Sequence, residues 1–428
     1  MVYPTHMIAS HRQFIAILII AAIIRAVVLW LGAADLNADP DSYARIAATL
    51  AKTGTYGFEG EGGASATAFR PPLYPWLLSW LVFDGQVSRA AVAVLHLLLG
   101  CGTVALTLLI GNQLNLRFVW VAGLAVAVDP ILLRQSQLVM TETLATFLGI
   151  LAWWLWLLVW PSFEMCAVKP RTRGQWLALI GFSLTLGVSI LARPTAAPWA
   201  LFCALIAMCV GSNCWKRRLN DGATICLGVL VCVVPWTLRN YSVFGKPIWA
   251  TTHGGYTLLL ANNPPLYRHF AAHGPSRAWE AEEFQEAWSA RIALEGPSLN
   301  EVDKDQLAYR AARSTLARYP RIFVLSCIYR VGWLWALWPH DGSIGASEVL
   351  IGVWYAVIFW CAYVGLQHVG YTRSYRSWLI GLTLVFSLTV VHAFYWSNMR
   401  MRAPAMPCVI LLAVGCMGSG KGQRLAVL

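Results

Sequence analysis

Two aspartates and an arginine are the residues of this 428-residue chain best suited to group-transfer chemistry. Asp39 and Asp41 are separated by one proline, Tyr43 follows closely, and Arg70 stands directly before two prolines. A positioned carboxylate can take the proton of a hydroxyl group while that hydroxyl attacks another atom. A guanidinium group can hold a phosphate through paired hydrogen bonds. These residue types predict transfer chemistry at a substrate that carries phosphate.

Both aspartates also have a structural interpretation. Pro40 suits the first position of a helix, so Asp39 fits an N-cap, and Asp41 would be stabilised in the first turn by the helix dipole. Residues 43–50 carry apolar side chains at helical spacing, and Gly54 ends the pattern. The sequence predicts an amphipathic helix here and leaves open which aspartate, if either, is a base.

Three further charged residues are candidates for binding a substrate. Glu142 stands at the start of an apolar segment, where an acid suits a helix N-terminus or a site shared with the aspartates. Arg400 and Arg402 lie beside prolines between the last two apolar segments. We expect them on the outer side of a membrane, which basic residues generally avoid, and phosphate binding would give them a reason to be there.

The composition predicts that these residues are carried by membrane helices. The chain is 58% hydrophobic and 12% charged, whereas soluble domains carry roughly 25% charged residues. Long apolar runs recur along it, each able to cross about 30 Å of hydrocarbon, and they are continuous rather than alternating as in a β-barrel. The net charge of +12 comes from short basic loops that set topology, so no nucleic-acid partner is expected. We predict an all-α polytopic membrane protein.

We expect a single integral membrane domain over residues 1–428, with about 10–11 transmembrane helices and two long outer loops that carry short interfacial helices. The first transmembrane helix is predicted at 13–34, loop one at 35–88, further transmembrane helices at 89–239, loop two at 240–347, and the C-terminal transmembrane helices at 348–418. The candidate spans are 13–34, 89–111, 117–134, 142–160, 175–192, 195–213, 222–239, 348–368, 377–397 and 403–418.

The segment 320–338 is either a span or an interfacial helix. It is apolar enough to cross a membrane, but Arg330 lies in its middle. An arginine at the bilayer centre costs about 2.5–3.5 kcal/mol even on the lenient insertion scale. We favour the interfacial alternative for this reason, and the outer position of Arg400 and Arg402 depends on it. If 320–338 spans the membrane, these two arginines face the cytoplasm instead.

The order of these elements resembles the GT-C glycosyltransferases, most closely a family-39-like group that includes protein O-mannosyltransferases and lipid A aminoarabinose transferases. An Asp four residues before a Tyr, just after the first span, and then an Arg-Pro-Pro-Leu element carry the resemblance. Other short motifs that resemble the group are Leu138–Glu142, Ala192-Arg193-Pro194, Arg239-Asn240-Tyr241 with Gly245-Lys246-Pro247, and Arg400-Met401-Arg402-Ala403-Pro404.

The resemblance implies an inverting glycosyltransferase that takes a sugar from a polyprenyl-phosphate donor. The acceptor would be a hydroxyl group of a lipid, glycan or protein at the outer face of the membrane, here the periplasmic face of a bacterial inner membrane. Asp39 matches the catalytic base by its spacing from Tyr43, with Asp41 as the alternative. Arg70, Arg400 and Arg402 would stabilise the phosphate, and Tyr43 and Glu142 would help to bind the substrate.

The resemblance to enzymes that work without a metal implies that no cofactor is needed. A Mg²⁺ or Mn²⁺ ion, as in the oligosaccharyl branch of GT-C, is the alternative, near Asp39, Asp41 and Glu142. A transporter or flippase of lipid-linked sugars is the alternative function. It would need ionisable residues at mid-membrane, for which Arg25, His96 and His392 are the candidates.

Overall fold

A computed structural model of the chain describes residues 11–160, 170–210, 214–274, 279, 281–295, 299–339, 345–370 and 375–418. Its helices are α1 (His11–Leu31), α2 (Tyr43–Thr53), α3 (Leu73–Ser79), α4 (Arg89–Gln113), α5 (Val119–Val128), α6 (Pro130–Ser136), α7 (Glu142–Val159), α8 (Arg173–Ala192), α9 (Ala197–Val210), α10 (Trp215–Phe244), α11 (Gly254–Ala261), α12 (Pro264–His273), α13 (Glu282–Glu295), α14 (Glu301–Arg318), α15 (Pro320–Leu334), α16 (Ala346–Gly370), α17 (Tyr375–Phe394) and α18 (Met406–Gly415). Short 3-10 turns occupy Asp35–Asn37, Pro194–Ala196 and Met399–Ala405.

Seven helices in the described ranges are long and apolar enough to cross a membrane, namely α1, α4, α7, α8, α10, α16 and α17. The pair α5 and α6 makes an eighth candidate that is bent by 47°. The predicted spans 195–213 and 403–418 correspond to the shorter helices α9 and α18, each of which starts after a proline-containing 3-10 turn. Residues 211–213 of the first predicted span lie outside the described residues. The prediction of an all-α, multi-pass membrane protein is confirmed.

The core of the membrane domain lies around α7 and α18. Helix α7 packs against α4, α8 and the segment Met399–Ala405, and α18 packs against α5 and α16. The approach of α16 to α18 is so close that a Cβ atom at Gly365 would lie 1.9 Å from the backbone oxygen of Leu412. Small residues that bring two helices together in this way are typical of membrane interiors.

Loop one contains α2, α3 and two small antiparallel hairpins. The hairpins pair β1 (Gly57–Gly60) with β2 (Gly63–Ala66), and β3 (Val82–Phe83) with β4 (Gln86–Val87). Helix α2 is where the sequence predicts it, and it ends at Gly54, whose φ of 71° suits a residue without a side chain. The hairpins were not predicted. The first is rich in glycine and alanine, which give no strand signal, and the second has only two residues in each strand around its Asp84-Gly85 turn.

Loop two, which carries α11 to α15, is docked on loop one. The carboxylate of Glu301 accepts hydrogen bonds from Thr67 Oγ1 at 2.6 Å and from the Ala68 amide at 2.7 Å. Arg239, near the end of α10, donates to the carbonyl oxygens of Tyr56 at 2.8 Å and Thr67 at 2.7 Å. The two loops therefore form one layer, and we call its side of the membrane the loop side.

Helix α15 covers most of the ambiguous segment 320–338. Its 15 residues span about 22 Å at 1.5 Å per residue, which is short of about 30 Å of hydrocarbon. Arg330 is fully buried and donates to the carbonyl oxygens of Ala261 at 2.5 Å and Ala393 at 2.7 Å. These partners lie at the ends of α11 and α17 that face the loop side. The contacts favour the interfacial alternative, which stays a prediction.

Candidate active site

Asp39 lies just before α2, and its carboxylate accepts hydrogen bonds from backbone amides of the first turn. Its Oδ1 accepts a hydrogen bond from the amide of Ala44 at 3.1 Å, and its Oδ2 accepts one from the amide of Arg45 at 2.9 Å. Ser42, at a φ of 62°, makes the turn that brings the carboxylate over these free amides. Both carboxylate oxygens are thus engaged by the start of the helix, as in a cap. The N-cap position itself is Ser42 and Pro40 precedes the helix, so the predicted N-cap position is wrong by three residues.

Asp41 is paired with Arg70. Arg70 Nη2 donates to Asp41 Oδ1 at 2.8 Å, and Arg70 Nε donates to the backbone oxygen of Asp41 at 2.8 Å. The two side chains are 15% exposed for Arg70 and 24% exposed for Asp41. Asp41 Oδ2 has no hydrogen-bond partner in the described part of the chain. The Tyr56 hydroxyl fixes the backbone of Arg70 by donating to its carbonyl oxygen at 2.9 Å.

Tyr43 is buried between this ion pair and the membrane helices. Its ring meets that of Tyr74 edge to face, with centroids 5.4 Å apart. The Tyr74 hydroxyl lies 2.8 Å from His96 Nε2, and His96 Nδ1 lies 2.7 Å from the carbonyl oxygen of Ser136. Since a carbonyl oxygen can only accept, His96 carries its proton on Nδ1 and accepts from Tyr74. His96 therefore anchors loop one to α4 and α6.

A second charged group surrounds Glu142, the first residue of α7. Its side chain is 1% exposed, and its Oε1 lies 2.9 Å from Arg193 Nη1 and 3.9 Å from Arg400 Nε. Burial alone would lower the pKa of Arg193, but that pKa is raised because the charges of Glu142 and Asp41 favour the guanidinium ion. Tyr43 belongs to the same buried apolar cluster as Leu144 of α7 and Ala192 of α8, so it lies close to both charged groups. Asp41, Arg70, Glu142, Arg193 and Arg400 thus belong to one site.

Arg193 has no assigned role in the sequence analysis, although its motif Ala192-Arg193-Pro194 is among those that resemble the glycosyltransferases. The signal that could have found it is a charged residue between an apolar run and a proline. Because α7 and α8 are antiparallel neighbours, the start of one and the end of the other meet. The contact between Glu142 and Arg193 therefore depends on helix packing and cannot be predicted from their spacing in the sequence.

Arg402 corrects one of our expectations, since the structure does not bring it into this site. Its fully buried guanidinium group donates from Nη1 to the carbonyl oxygens of Leu334 at 3.0 Å and Ala336 at 2.6 Å. The group also lies 4.3 Å from the ring centroid of Tyr355. The 3-10 turn sends Arg400 and Arg402 to different surroundings, so Arg402 holds α15 and α16 together.

A cavity of about 350 Å³ opens beside Arg400. Arg134, a cation that the sequence analysis did not single out, lies on its wall and forms an ion pair with Asp35. Three tryptophans give the cavity an aromatic wall, with Trp396 in contact with the other two. The residues that line the cavity are Pro130, Ile131, Arg134, Gln135, Trp279, Trp333, Pro339, Ile351, Trp396, Ser397, Asn398, Met399 and Arg400. Cationic and aromatic groups together suit a ligand with a phosphate and a ring.

The carboxylates of this site do not fit a divalent metal ion. Each of them already has a partner: backbone amides at Asp39, Arg70 at Asp41, and Arg193 with Arg400 at Glu142. The described residues contain no group of three or more His, Cys, Asp or Glu side chains that could hold a metal. A divalent ion here would lie beside guanidinium groups rather than among the oxygen ligands it prefers. The expectation that no metal is needed stays a prediction.

Arg25 and His96, two of the three ionisable residues that a transporter would need, are hydrogen-bonded within the packed helices. Arg25 is 2% exposed, and its Nη2 donates to the carbonyl oxygen of Val126 at 3.1 Å. His96 has a partner on each ring nitrogen. Neither faces the cavity of about 350 Å³.

Comparison with solved structures shows the fold. The chain is similar to the archaeal oligosaccharyltransferase AglB from Archaeoglobus fulgidus, in complex with an inhibitory peptide and a dolichol-phosphate, with a TM-score of 0.55 and 15% identity over 94% of this chain and 50% of that chain. The apo form of the same oligosaccharyltransferase gives a TM-score of 0.56 and 14% identity, with the same coverage of 94% and 50%. The chain therefore spans about half the length of the oligosaccharyltransferase it matches. The predicted GT-C fold is confirmed.

A weaker similarity, with a TM-score of 0.43, links the chain to ArnT from Cupriavidus metallidurans bound to undecaprenyl phosphate. It has 15% identity over 96% of this chain and 77% of that chain. No protein-family model and no curated protein sequence matches the chain.

Proposed function

We propose that the chain is an inverting glycosyltransferase that moves a sugar from a polyprenyl-phosphate donor to an acceptor hydroxyl group. The observation that carries the proposal is the convergence of one carboxylate that has a free oxygen, Asp41, with three arginines, Arg70, Arg193 and Arg400, at one site on the loop side. The dolichol-phosphate bound to the structurally similar oligosaccharyltransferase belongs to the same class of lipid as the proposed donor.

The catalytic base in this proposal is Asp41. Its Oδ2 takes the proton of the acceptor hydroxyl while the hydroxyl oxygen forms a bond to C1 of the sugar. The bond between C1 and the phosphate oxygen breaks on the opposite face, which inverts the configuration at C1. Arg70 holds the carboxylate through Oδ1 and through the backbone oxygen. Asp39 has the different task of fixing the turn that carries Asp41.

The leaving phosphate gains negative charge as the bond to C1 breaks, and cations that are already in place stabilise it. Arg400 and Arg134 on the cavity wall are suited to this task, and Glu142 keeps Arg193 and Arg400 in position before the donor arrives. The aromatic wall offers ring faces to the apolar sides of the donor. The acceptor is a hydroxyl group of a lipid, glycan or protein at the outer face of a bacterial inner membrane.

The test is a transfer assay on membranes that contain the full chain. Polyprenyl phosphates carrying labelled sugars are added, and lipids and products are separated by thin-layer chromatography. The proposal expects free polyprenyl phosphate to appear together with labelled acceptor, and Asp41→Asn membranes to release neither. Movement of intact labelled lipid across the membrane, with no free polyprenyl phosphate, would instead identify a transporter.

A further inference from the structure

Several buried polar atoms on one wall of the site have no hydrogen-bond partner in the described part of the chain. Four of them are Glu142 Oε2, His392 Nε2, Ser397 Oγ and Asn398 Oδ1, and two more are the guanidinium nitrogens Arg193 Nη1 and Arg400 Nε, which lie near Glu142 without hydrogen-bond geometry. Buried polar atoms in proteins are generally hydrogen-bonded, because an unpaired one keeps the full cost of losing water. A concentration of such atoms beside a cavity points to a polar ligand that supplies the missing partners.

His392, near the end of α17, shows whether the missing partner is a hydrogen-bond donor or an acceptor. Its side chain is 3% exposed, and its Nδ1 lies 3.1 Å from the carbonyl oxygen of Trp396. The carbonyl can only accept, so Nδ1 carries the proton and Nε2 presents a lone pair. Helix α17 packs against α7 and the segment Met399–Ala405, and His392 interacts electrostatically with Arg193, Glu142 and Arg400. The lone pair therefore belongs to the site rather than to the lipid-facing surface.

The unpaired atoms are of two kinds: Arg193 Nη1 and Arg400 Nε are donors that suit a phosphate, and the others require hydrogen-bond donors. Glu142 Oε2, His392 Nε2 and Asn398 Oδ1 are acceptors, and the Ser397 hydroxyl can act either way. An ionised phosphate would satisfy the arginines, but it has no proton to give to these acceptors. A sugar carries several hydroxyl groups and can serve them. Ser397 and Asn398 also line the cavity beside Arg400, which places these two next to a cation suited to phosphate. Glu142 and His392 are not among the lining residues, and their link to the cavity is their interaction with Arg400.

We propose that His392 Nε2 accepts a hydrogen bond from a hydroxyl group of the donor's sugar, and that His392 thereby helps to select the sugar. The inference rests on the proposed function, since it divides the same site into a phosphate part and a sugar part. The arginines bind the phosphate of any polyprenyl phosphate. The acceptors at Glu142, His392 and Asn398 bind only donors that carry a sugar.

The test compares two lipids on the full chain in lipid nanodiscs. Isothermal titration measures the Kd of undecaprenyl phosphate and of undecaprenyl phosphate carrying mannose, glucose, galactose or aminoarabinose. The sugar-bearing lipid that the wild type binds most tightly is then used for the variants. His392→Leu removes the acceptor, whereas His392→Gln offers an amide oxygen at similar reach. We expect His392→Leu to weaken binding of the sugar-bearing lipid about tenfold, the effect of one lost hydrogen bond.

The same variant should leave the Kd of undecaprenyl phosphate within about twofold, and His392→Gln should recover most of the loss. Equal losses for both lipids would show that His392 only supports the fold, and no loss for either would show that it does not contact the sugar. Either result overturns the inference and leaves the proposed function intact. A wild type that binds neither lipid would overturn the proposed function, and the inference with it. Thermal unfolding of each variant identifies losses caused by misfolding.

Discussion

Arg193 Nη1 lies 2.9 Å from Glu142 Oε1, although Arg193 follows the end of α8 and Glu142 is the first residue of α7. The carboxylate is 1% exposed and also faces Arg400, so a buried acid is held between two cations. Removing the acid leaves two like charges close together, and an unpaired buried charge is costly.

We therefore predict that Glu142→Gln lowers the free energy of unfolding by about 3 kcal/mol, the usual cost of removing one partner of a buried ion pair. Adding Arg193→Gln to this variant should restore part of the loss, since one unpaired cation is then removed. Denaturant unfolding of the purified chain measures both effects. Strictly additive losses in the double variant would show that the two residues are not coupled.

Substitution of the two aspartates of loop one should have different effects on transfer and on stability. Asp41→Asn removes the base and should lower the transfer rate by at least ~100-fold. Its cost in stability should not exceed about 1 kcal/mol, since the amide oxygen can still accept from Arg70. Asp39→Asn should cost about 1 kcal/mol of stability, as helix caps do, and should retain transfer. Rates are measured by thin-layer chromatography, and stability by thermal unfolding. The reverse pattern would make Asp39 the base, as its spacing from Tyr43 suggests.

Much of the fold follows from the sequence alone. Continuous apolar runs define the membrane helices, and α2 with its stop at Gly54 follows from periodicity and one glycine. The hairpins of loop one and the bend between α5 and α6 are not predicted. The second hairpin and the bend nevertheless have local signals, namely the turn Asp84-Gly85 and the helix start Asp129-Pro130, which the long apolar runs around them outweighed. The prolines that shorten α9 and α18 are visible in the sequence, but their effect on length is not.

The site is predictable only in part, because it is assembled by packing. The sequence selects Asp41, Arg70, Glu142 and Arg400, which meet in the structure. Their partner Arg193 acquires its place from the antiparallel contact of two helices, which no spacing rule describes. Arg402 does not join them because residues 399–405 form a 3-10 helix, in which side chains three apart share a side and side chains two apart do not. The sequence does not reveal this conformation in advance.

Arg400 and Arg402 should respond differently to the same substitution. Arg402→Met leaves the carbonyl oxygens of Leu334 and Ala336 without their donor and should cost about 2 kcal/mol of stability. Arg400→Met should weaken binding of undecaprenyl phosphate about tenfold and change stability little. Thermal unfolding and isothermal titration in nanodiscs measure the two properties. If Arg402→Met is stable but binds the lipid more weakly, Arg402 contributes to phosphate binding after all.

The orientation of the loop side can be tested with single cysteines in a chain whose native cysteines are replaced. Leu294 in α13 is 84% exposed on the loop side, and Leu219, near the start of α10, is 51% exposed at the opposite end. We expect Leu294→Cys to react with a membrane-impermeant thiol reagent on intact cells. Leu219→Cys is the matched control and should react only after the membrane is opened. The opposite labelling pattern would place the loops and the site inside the cell.

Asp305 of α14 supports the start of α11 from a partly buried position. Its Oδ1 accepts a hydrogen bond from the amide of Gly255 at 2.7 Å. The approach requires glycine, because a Cβ atom at residue 255 would lie 2.2 Å from the backbone oxygen of Asp305. Burial raises the pKa of Asp305 to about 6, and the nearby charge of Glu301 adds to the rise. The carboxyl group is therefore more easily ionised in the unfolded chain than in the folded one.

The difference in the pKa of Asp305 between the folded and the unfolded chain decides whether stability rises or falls with pH. A carboxyl group whose pKa is raised on folding stabilises the fold below its unfolded pKa of about 3.9, and this contribution is lost as pH rises through its folded pKa. For Asp305 the window runs from about 4 to about 6. Asp305→Asn keeps an acceptor for Gly255 but cannot ionise, so the variant should lose less stability than the wild type between pH 4.5 and pH 7. Thermal unfolding across this range measures the difference, with the exposed acid Glu286→Gln as the control. Parallel curves for wild type and Asp305→Asn would show that ionisation of Asp305 does not affect the docking of the loops.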